Sequence, residues 1–234
     1  MRSPRVFLLA SFLVLFLAPS STPYTQNRTN VAVQASVSFQ EPENHAIEVD
    51  RLMRYHDFGE YDREIREIAN SARDYLETVV KTTSKDDKLA AVFDIDETAL
   101  SNWEAMAGCG FCAYPVQVKL YPASHDPAIV PVLELFNFAK KHGVTVFFVT
   151  GRQEAQRDAT VKNLNDVGYS GWADLVMQAD GNRLPASVVK SSDRQAISDK
   201  GYRIVLNIGD QASDLAGCCS ERVFKLPNPF YLVK

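Results

Sequence analysis

An apolar run ends in two carboxylates in the stretch Val92-Phe93-Asp94-Ile95-Asp96-Glu97-Thr98. The run begins at Leu89, and a short continuous apolar segment of this kind predicts a strand buried on both faces of a sheet. Asp94 and Asp96 can face the same cleft if the backbone turns where that strand ends. The pair alone is ambiguous, because acids after a buried strand are commonly turn formers and glycosyltransferases also bind metal through Asp-x-Asp.

The sequence around this stretch alternates apolar runs with helical patterns. Strands are predicted at 89–93, 144–149, 174–177 and 203–208, with an edge strand at 223–226. Helices are predicted from about 58 to 82, from 126 to 143 with Asp126 as N-cap and Pro127 at the first position, from 153 to 168, and after Lys190. Apolar strands separated by helices indicate an α/β fold with a parallel sheet covered on both faces.

Three of the predicted strands end in a polar residue, namely Asp94, Thr150 and Asp210. Ligands of such folds bind at the carboxyl ends of the strands, so these side chains are expected at one edge of the sheet. Thr150 is followed by Gly151 and Arg152, which add a flexible residue and a cation to that edge.

Lys190 lies in a polar stretch before the last core strand, and Asp214 follows Asp210 by four residues. The order of acid pair, hydroxyl, lysine and acid pair suits metal-assisted phosphoryl transfer. Carboxylates hold a hard divalent cation such as Mg²⁺, while a lysine and a hydroxyl neutralise the remaining phosphate oxygens. Lys162 and Lys200 are the rivals to Lys190 for this role.

With these motifs in hand, the sequence resembles the haloacid-dehalogenase (HAD) phosphatase superfamily, in particular subfamily IIIB, the class B-like and plant vegetative storage protein-like acid phosphatases. The resemblance is carried by residues 92–98, 148–152, 207–215 and 224–231. It implies a HAD-type, Rossmann-like three-layer fold over 57–234, with a small cap at about 99–125 and an open cleft. Residues 26–56 are then an N-terminal leader.

The resemblance also implies a role for each site residue. Asp94 would be the nucleophile, and Asp96 would protonate the leaving alcohol and then activate water. The substrate phosphoryl group would be bound by Thr150, Gly151, Arg152 and Lys190. The metal Mg²⁺ would be held by Asp94, the backbone carbonyl of Asp96, Asp210 and Asp214. For Arg152, an ion pair with an acid is the alternative.

Aromatic residues are concentrated in the predicted cap, at Trp103, Phe111, Tyr114 and Tyr121. One interpretation is a stacking platform for an aromatic substrate such as a nucleotide base. The other is packing of the cap itself.

The N-terminus has the pattern of a secretory signal peptide over residues 1–25. Arg2 and Arg5 precede an apolar run at 6–18, and small and polar residues follow. The run is too short to span a membrane comfortably, so we expect a secreted or periplasmic protein with no stable membrane anchor after cleavage. The net charge of −4 argues against a nucleic acid polymer as partner. Nothing in the sequence specifies an oligomeric state.

The cysteines fit an oxidising compartment. They form two pairs, Cys109 with Cys112 and Cys218 with Cys219. A bridge between the pairs, a local Cys109–Cys112 bridge and a zinc site are the alternatives; the adjacent Cys218 and Cys219 lack the usual spacing of zinc ligands.

Together these features predict an enzyme, a secreted Mg²⁺-dependent acid phosphatase (a phosphoric monoester hydrolase) acting on small phosphate esters, nucleotides among them. A non-catalytic storage or phospho-ligand-binding protein of the same fold is the main alternative, and the retained Asp94 favours catalysis. A phosphorylated receiver domain would need a kinase and ATP, which secretion removes.

Overall fold

The structure, a computed structural model, describes residues 42–84, 86–120 and 125–233. Within them, five parallel strands form one sheet in the order β3-β2-β1-β4-β5. The strands are β1 Leu89–Phe93, β2 Thr145–Gln153, β3 Asp174–Gln178, β4 Arg203–Gly209 and β5 Val223–Lys225. The predicted α/β class and HAD-type parallel sheet are confirmed.

The described helices are α1 His45–Asp57, α2 Glu60–Thr82, α3 Trp103–Gly108, α4 Tyr114–Leu120, α5 Val130–Lys141, α6 Arg157–Asp166, α7 Ala186–Asp199 and α8 Ala212–Leu215. A 3₁₀ turn, Glu154–Gln156, precedes α6. The two short helices α3 and α4 lie where the small cap was predicted.

The sheet packs helices on both faces because successive residues of a strand point to opposite sides. In β1, Ala91 and Phe93 join the larger buried cluster, whereas Ala90 and Val92 join a second cluster. The larger cluster includes Leu76 of α2 and Phe136 of α5, and the second includes Ile197 of α7. This is the reason why β1 reads as a continuous apolar run in the sequence.

Three helix starts differ from prediction. The helix predicted from about 153 begins at Arg157, because β2 continues to Gln153 and the 3₁₀ turn comes before the helix. The helix predicted from Asp126-Pro127 begins at Val130, and its N-cap is Ile129, so the prediction of Asp126 as N-cap was wrong. The carboxylate of Asp126 instead pairs with Arg152 at 3.0 Å. The helix predicted to follow Lys190 begins earlier, at Ala186, and contains it. The polar residues after Lys190 are helical as well, and they range from exposed Ser192 to buried Arg194.

Helix α1 occupies part of the segment predicted to be a leader. Val49, Leu52 and Met53 recur at helical spacing and pack against the larger core cluster. The side chain of Asn44 caps the first turn by accepting a hydrogen bond from the backbone N–H of Ala46.

Both cysteine pairs form local disulfides, Cys109–Cys112 and Cys218–Cys219. The alternatives of a bridge between the pairs and of a zinc site are therefore wrong. The predicted signal peptide lies outside the described residues. Among residues 42–84, 86–120 and 125–233, no helix has the length and hydrophobicity needed to cross a membrane.

Candidate active site

The strand order brings two acidic strand ends together. Strands β1 and β4 are neighbours at the point where the sheet order reverses, which is where ligands of doubly wound sheets bind. Asp94 follows β1 and Asp210 follows β4, and the backbone N–H of Asp94 donates to the carbonyl of Ile208 at 3.0 Å. The site is therefore positioned by the two central strands.

Lys190 reaches this site from α7. Its Nζ lies 2.5 Å from Asp94 Oδ1 and 2.7 Å from Asp214 Oδ1, and all three side chains are buried. Burial alone would lower the pKa of Lys190, but the charges of Asp214 and Asp94 outweigh it and raise the pKa. The rival lysines lie elsewhere, since Lys162 pairs with Asp166 on the surface and Lys200 is exposed.

Three carboxylates form a cluster that fits a divalent cation. One oxygen each of Asp94, Asp210 and Asp214 lies within 4.8 Å of the others. Burial raises the pKa of Asp94 well above its ordinary value, although Lys190 opposes this shift. Burial, together with the charge of Asp214, raises the pKa of Asp210 to about 7. An all-oxygen donor set with more negative than positive charge suits a hard cation.

Local backbone geometry holds Asp214 in the cluster. Its Oδ2 accepts a hydrogen bond from the backbone N–H of Gln211 at 2.7 Å, which closes the turn from β4 into α8. A Cβ at Gly209 would come within 2.5 Å of Asp214 Oδ2, so glycine is required there. Arg194 donates to the carbonyl of Asp214 at 2.6 Å and Asn207 donates to it at 3.0 Å.

Asp96 is held by a different set of donors. Arg152 Nη2 lies 2.7 Å from Asp96 Oδ1, and Asn102 Nδ2 lies 2.9 Å from the same oxygen. Burial would raise the pKa of Asp96, but Arg152 and Asn102 outweigh it and lower the pKa. Of the two roles considered for Arg152, the structure therefore has the ion pair with an acid.

The remaining predicted residues line or support the same edge. The prediction that a strand ends at Thr150 was wrong, because β2 continues to Gln153. Thr150 is buried within β2, and its Oγ1 accepts from the backbone N–H of Arg152 at 3.1 Å. Gly151 lines a cavity of about 40 Å³, and Asp94 and Lys190 line the same cavity. Ser213 lines it too, and within the described part of the chain its buried Oγ has no hydrogen-bond partner.

The cavity lined by Asp94 is small and joins a larger cleft. Tyr114 and Tyr231 stack with ring centroids 4.8 Å apart and line the small cavity. Both Tyr114 and Gly151 also line an adjoining cleft of about 420 Å³, together with Arg152. The cleft is large enough to hold the organic part of a small phosphate ester.

Most of the cap aromatics pack against protein. Trp103 stacks on His56 with ring centroids 3.6 Å apart, and Phe111 stacks on Phe230 with ring centroids 5.5 Å apart. Their rings are therefore occupied, which favours the packing interpretation for both. Tyr114 lies beside the site, and Tyr121 is outside the described residues.

Sequence reasoning missed four polar residues around the site, three of them buried and one, Asn228, partly buried. Glu97 accepts from Tyr61 Oη at 2.7 Å and from the backbone N–H of Asn102 at 2.5 Å. Asn228 donates to Asp210 Oδ2 at 2.5 Å. Asn102 and Asp126 were missed because their partners, Asp96 and Arg152, are brought to them only by the fold.

A comparison with protein families yields a match over most of the chain. The family described as "HAD superfamily, subfamily IIIB (Acid phosphatase)" matches residues 20–234. Acid phosphatase 1 of Solanum lycopersicum is 36% identical over 182 residues, covering 74% of this chain and 69% of that relative. Vegetative storage protein 1 of Arabidopsis thaliana is 34% identical over 61% of this chain, but the match spans only 54% of that protein.

Solved structures support the same architecture. The class C acid phosphatase of Bacillus anthracis has a TM-score of 0.65 at 23% sequence identity, covering 80% of this chain and 84% of that chain. At this identity the similarity supports the fold.

Proposed function

Because this chain belongs to the subfamily IIIB acid phosphatases of the HAD superfamily, we propose that it is a secreted, Mg²⁺-dependent phosphomonoesterase that acts through an aspartyl phosphate. The observation that carries the proposal is the placement of Lys190 between Asp94 and Asp214, at 2.5 and 2.7 Å. A buried lysine ammonium can bind phosphoryl oxygens, while the two carboxylates beside it can bind a metal ion.

In the first step, an oxygen of Asp94 attacks phosphorus and the bond to the leaving oxygen breaks. Asp96 in its protonated form donates a proton to that oxygen, so the alcohol leaves neutral. The negative charge of the bound phosphoryl group favours this protonated form and so opposes the lowering of the Asp96 pKa by Arg152. Lys190, Thr150 and Gly151 bind the phosphoryl oxygens. Ser213 supplies a further hydroxyl in the cavity that Lys190 and Gly151 line.

In the second step, Asp96 takes a proton from water as the water attacks phosphorus of the aspartyl phosphate. The bond from phosphorus to Asp94 breaks, which regenerates the carboxylate and releases inorganic phosphate. Mg²⁺, held by Asp94, the backbone carbonyl of Asp96, Asp210 and Asp214, would neutralise the charge of the phosphoryl oxygens. Arg152 orients Asp96 during both steps.

The substrates proposed are small phosphate esters, with nucleotides as one candidate class. The cleft next to the cavity supports an organic leaving group of modest size, since it measures about 420 Å³. The N-terminal sequence supports export, with cleavage of residues 1–25; N-terminal sequencing of the exported protein would check this.

The test is hydrolysis of p-nitrophenyl phosphate by the mature protein with Mg²⁺, with a chelator, and in Asp94→Asn. We expect activity that requires the metal and falls by more than about a thousandfold in Asp94→Asn. Asp74→Asn, an exposed acid of α2, is the control and should retain full activity. A folded protein with no metal-dependent hydrolysis of aryl, nucleotide or sugar phosphates would contradict the proposal and favour storage or binding.

A further inference from the structure

Arg152 is shared between two carboxylates, only one of which has a role in the proposed reaction. Its Nη2 lies 2.7 Å from Asp96 and 3.0 Å from Asp126 Oδ2, and its Nε lies 3.1 Å from Asp96 Oδ1. Its side chain is only 6% exposed. The guanidinium therefore bridges the acid/base and a second, buried acid.

The second acid is rigidly attached to α6. The backbone N–H of Asp126 donates to Asn163 Oδ1 at 2.8 Å, and Asn163 Nδ2 donates to the carbonyl of Asp126 at 2.8 Å. Arg152 Nη1 donates to Thr160 Oγ1, also on α6, at 3.3 Å. Asn163 and Thr160 are fully buried. Helix α6 thus fixes the far side of the guanidinium.

We propose that Asp126 is a positioning residue for Asp96, acting through Arg152. This role of Asp126 rests on the proposed function, since it requires Asp96 to be the proton donor and acceptor. A planar guanidinium bound to two carboxylates has one orientation. Without Asp126, Arg152 keeps only the 3.3 Å hydrogen bond to Thr160 on its far side, so it can move together with Asp96. Loss of Asp126 therefore loosens the geometry of proton transfer while the phosphate-binding groups stay in place.

The leaving group separates this role from a merely structural one. An alkyl phosphate releases a basic alkoxide that needs a proton, whereas p-nitrophenyl phosphate releases a stable phenolate. The value of kcat/KM reports the steps up to loss of the leaving group, so it isolates the proton donation by Asp96.

The experiment measures kcat/KM of the Mg²⁺-loaded protein for an alkyl phosphate and for p-nitrophenyl phosphate. For Asp126→Asn we expect a loss of about 10–100-fold on the alkyl ester and less than about threefold on the aryl ester. Asp126→Glu, which restores the carboxylate, should recover part of the alkyl activity. Asp87→Asn removes an exposed acid that also pairs with an arginine, Arg203, and should change neither value.

Equal losses on the two esters, or no loss, would overturn the proposal. If Asp126→Asn does not fold, Thr160→Val carries the test, because it removes one contact of Arg152 and nearly preserves side-chain shape. For Thr160→Val we again expect a larger loss of kcat/KM on the alkyl ester than on the aryl ester, but both losses should be smaller than in Asp126→Asn. Failure of the proposed function is distinguishable, because the unmodified protein would then hydrolyse neither ester.

Discussion

Lys190 compensates two buried acids, so we expect it to have a structural role beside its proposed binding of phosphate. Asp94 and Asp214 are buried beside it, and water cannot solvate their charges. Removing one partner of a buried ion pair costs far more than the pair contributes, because the other charge is left uncompensated. In the proposed enzyme, a metal ion would share this task.

Lys190→Met should therefore lower the free energy of unfolding by about 3–5 kcal/mol in the presence of a chelator. Adding Mg²⁺ should recover part of this loss, since a bound cation compensates the same carboxylates. Urea denaturation with chelator and with Mg²⁺ measures both. The matched control is Lys162→Met, whose exposed pair with Asp166 should contribute less than about 1 kcal/mol. Equal losses in the two variants would contradict the argument.

At the scale of elements, the strands were predictable and the helix starts were less so. Runs such as 89–93 and 203–208 are apolar throughout because both faces of the sheet are covered, and the structure has strands there. Asp126-Pro127 has the local chemistry of a helix start, but the buried pair of Asp126 with Arg152 uses the carboxylate that would have capped the helix.

The site was predictable to the extent that it lies at strand ends. Asp94 and Asp210 end neighbouring strands, so sheet geometry alone brings them together. Lys190 lies inside α7, and the direction of its side chain depends on how that helix packs. Asn102 and Asp126 contact the site across long sequence distances, and no local pattern marks such contacts.

The turn from β4 into α8 is the element that sets the position of Asp214. Gly209→Ala should displace this side chain, because the new Cβ would lie 2.5 Å from both Cβ and Oδ2 of Asp214. We expect Mg²⁺ affinity to fall by about 10–100-fold, as when the support of a metal ligand is lost. Mg²⁺-dependent shifts of Tm measure this.

Gly108→Ala is the control for that substitution. No atom lies within 4 Å of its added Cβ, and Gly108 is part of α3, where alanine is the better helix former. The stability of the Gly108→Ala variant should rise slightly or stay unchanged, and its Tm should respond to Mg²⁺ as that of the unmodified protein does. An unaltered Mg²⁺ response in Gly209→Ala would show that the turn tolerates the extra methyl group.

At the scale of the whole molecule, the fold depends on its core and sheet more than on its cross-links. The sheet carries buried residues on both faces, from strand β1 at its centre outward. The two disulfides join residues only three and one positions apart. Neither bridge connects distant parts of the chain.

Reduction should therefore leave the protein folded. In the chain-entropy view, a bridge that closes so short a loop stabilises by about 2 kcal/mol for Cys109–Cys112 and about 1 kcal/mol for Cys218–Cys219. A bridge between the two pairs would close a loop of roughly a hundred residues and contribute about 5 kcal/mol. Urea denaturation with and without a thiol reductant, read by circular dichroism, measures the total stabilisation by the two disulfides.

The double variant Cys109→Ser, Cys112→Ser should respond to the reductant only through Cys218–Cys219, by about 1 kcal/mol. A loss near 5 kcal/mol, or a cross-linked peptide containing Cys109 and Cys218 in mass spectrometry, would contradict the local pairing.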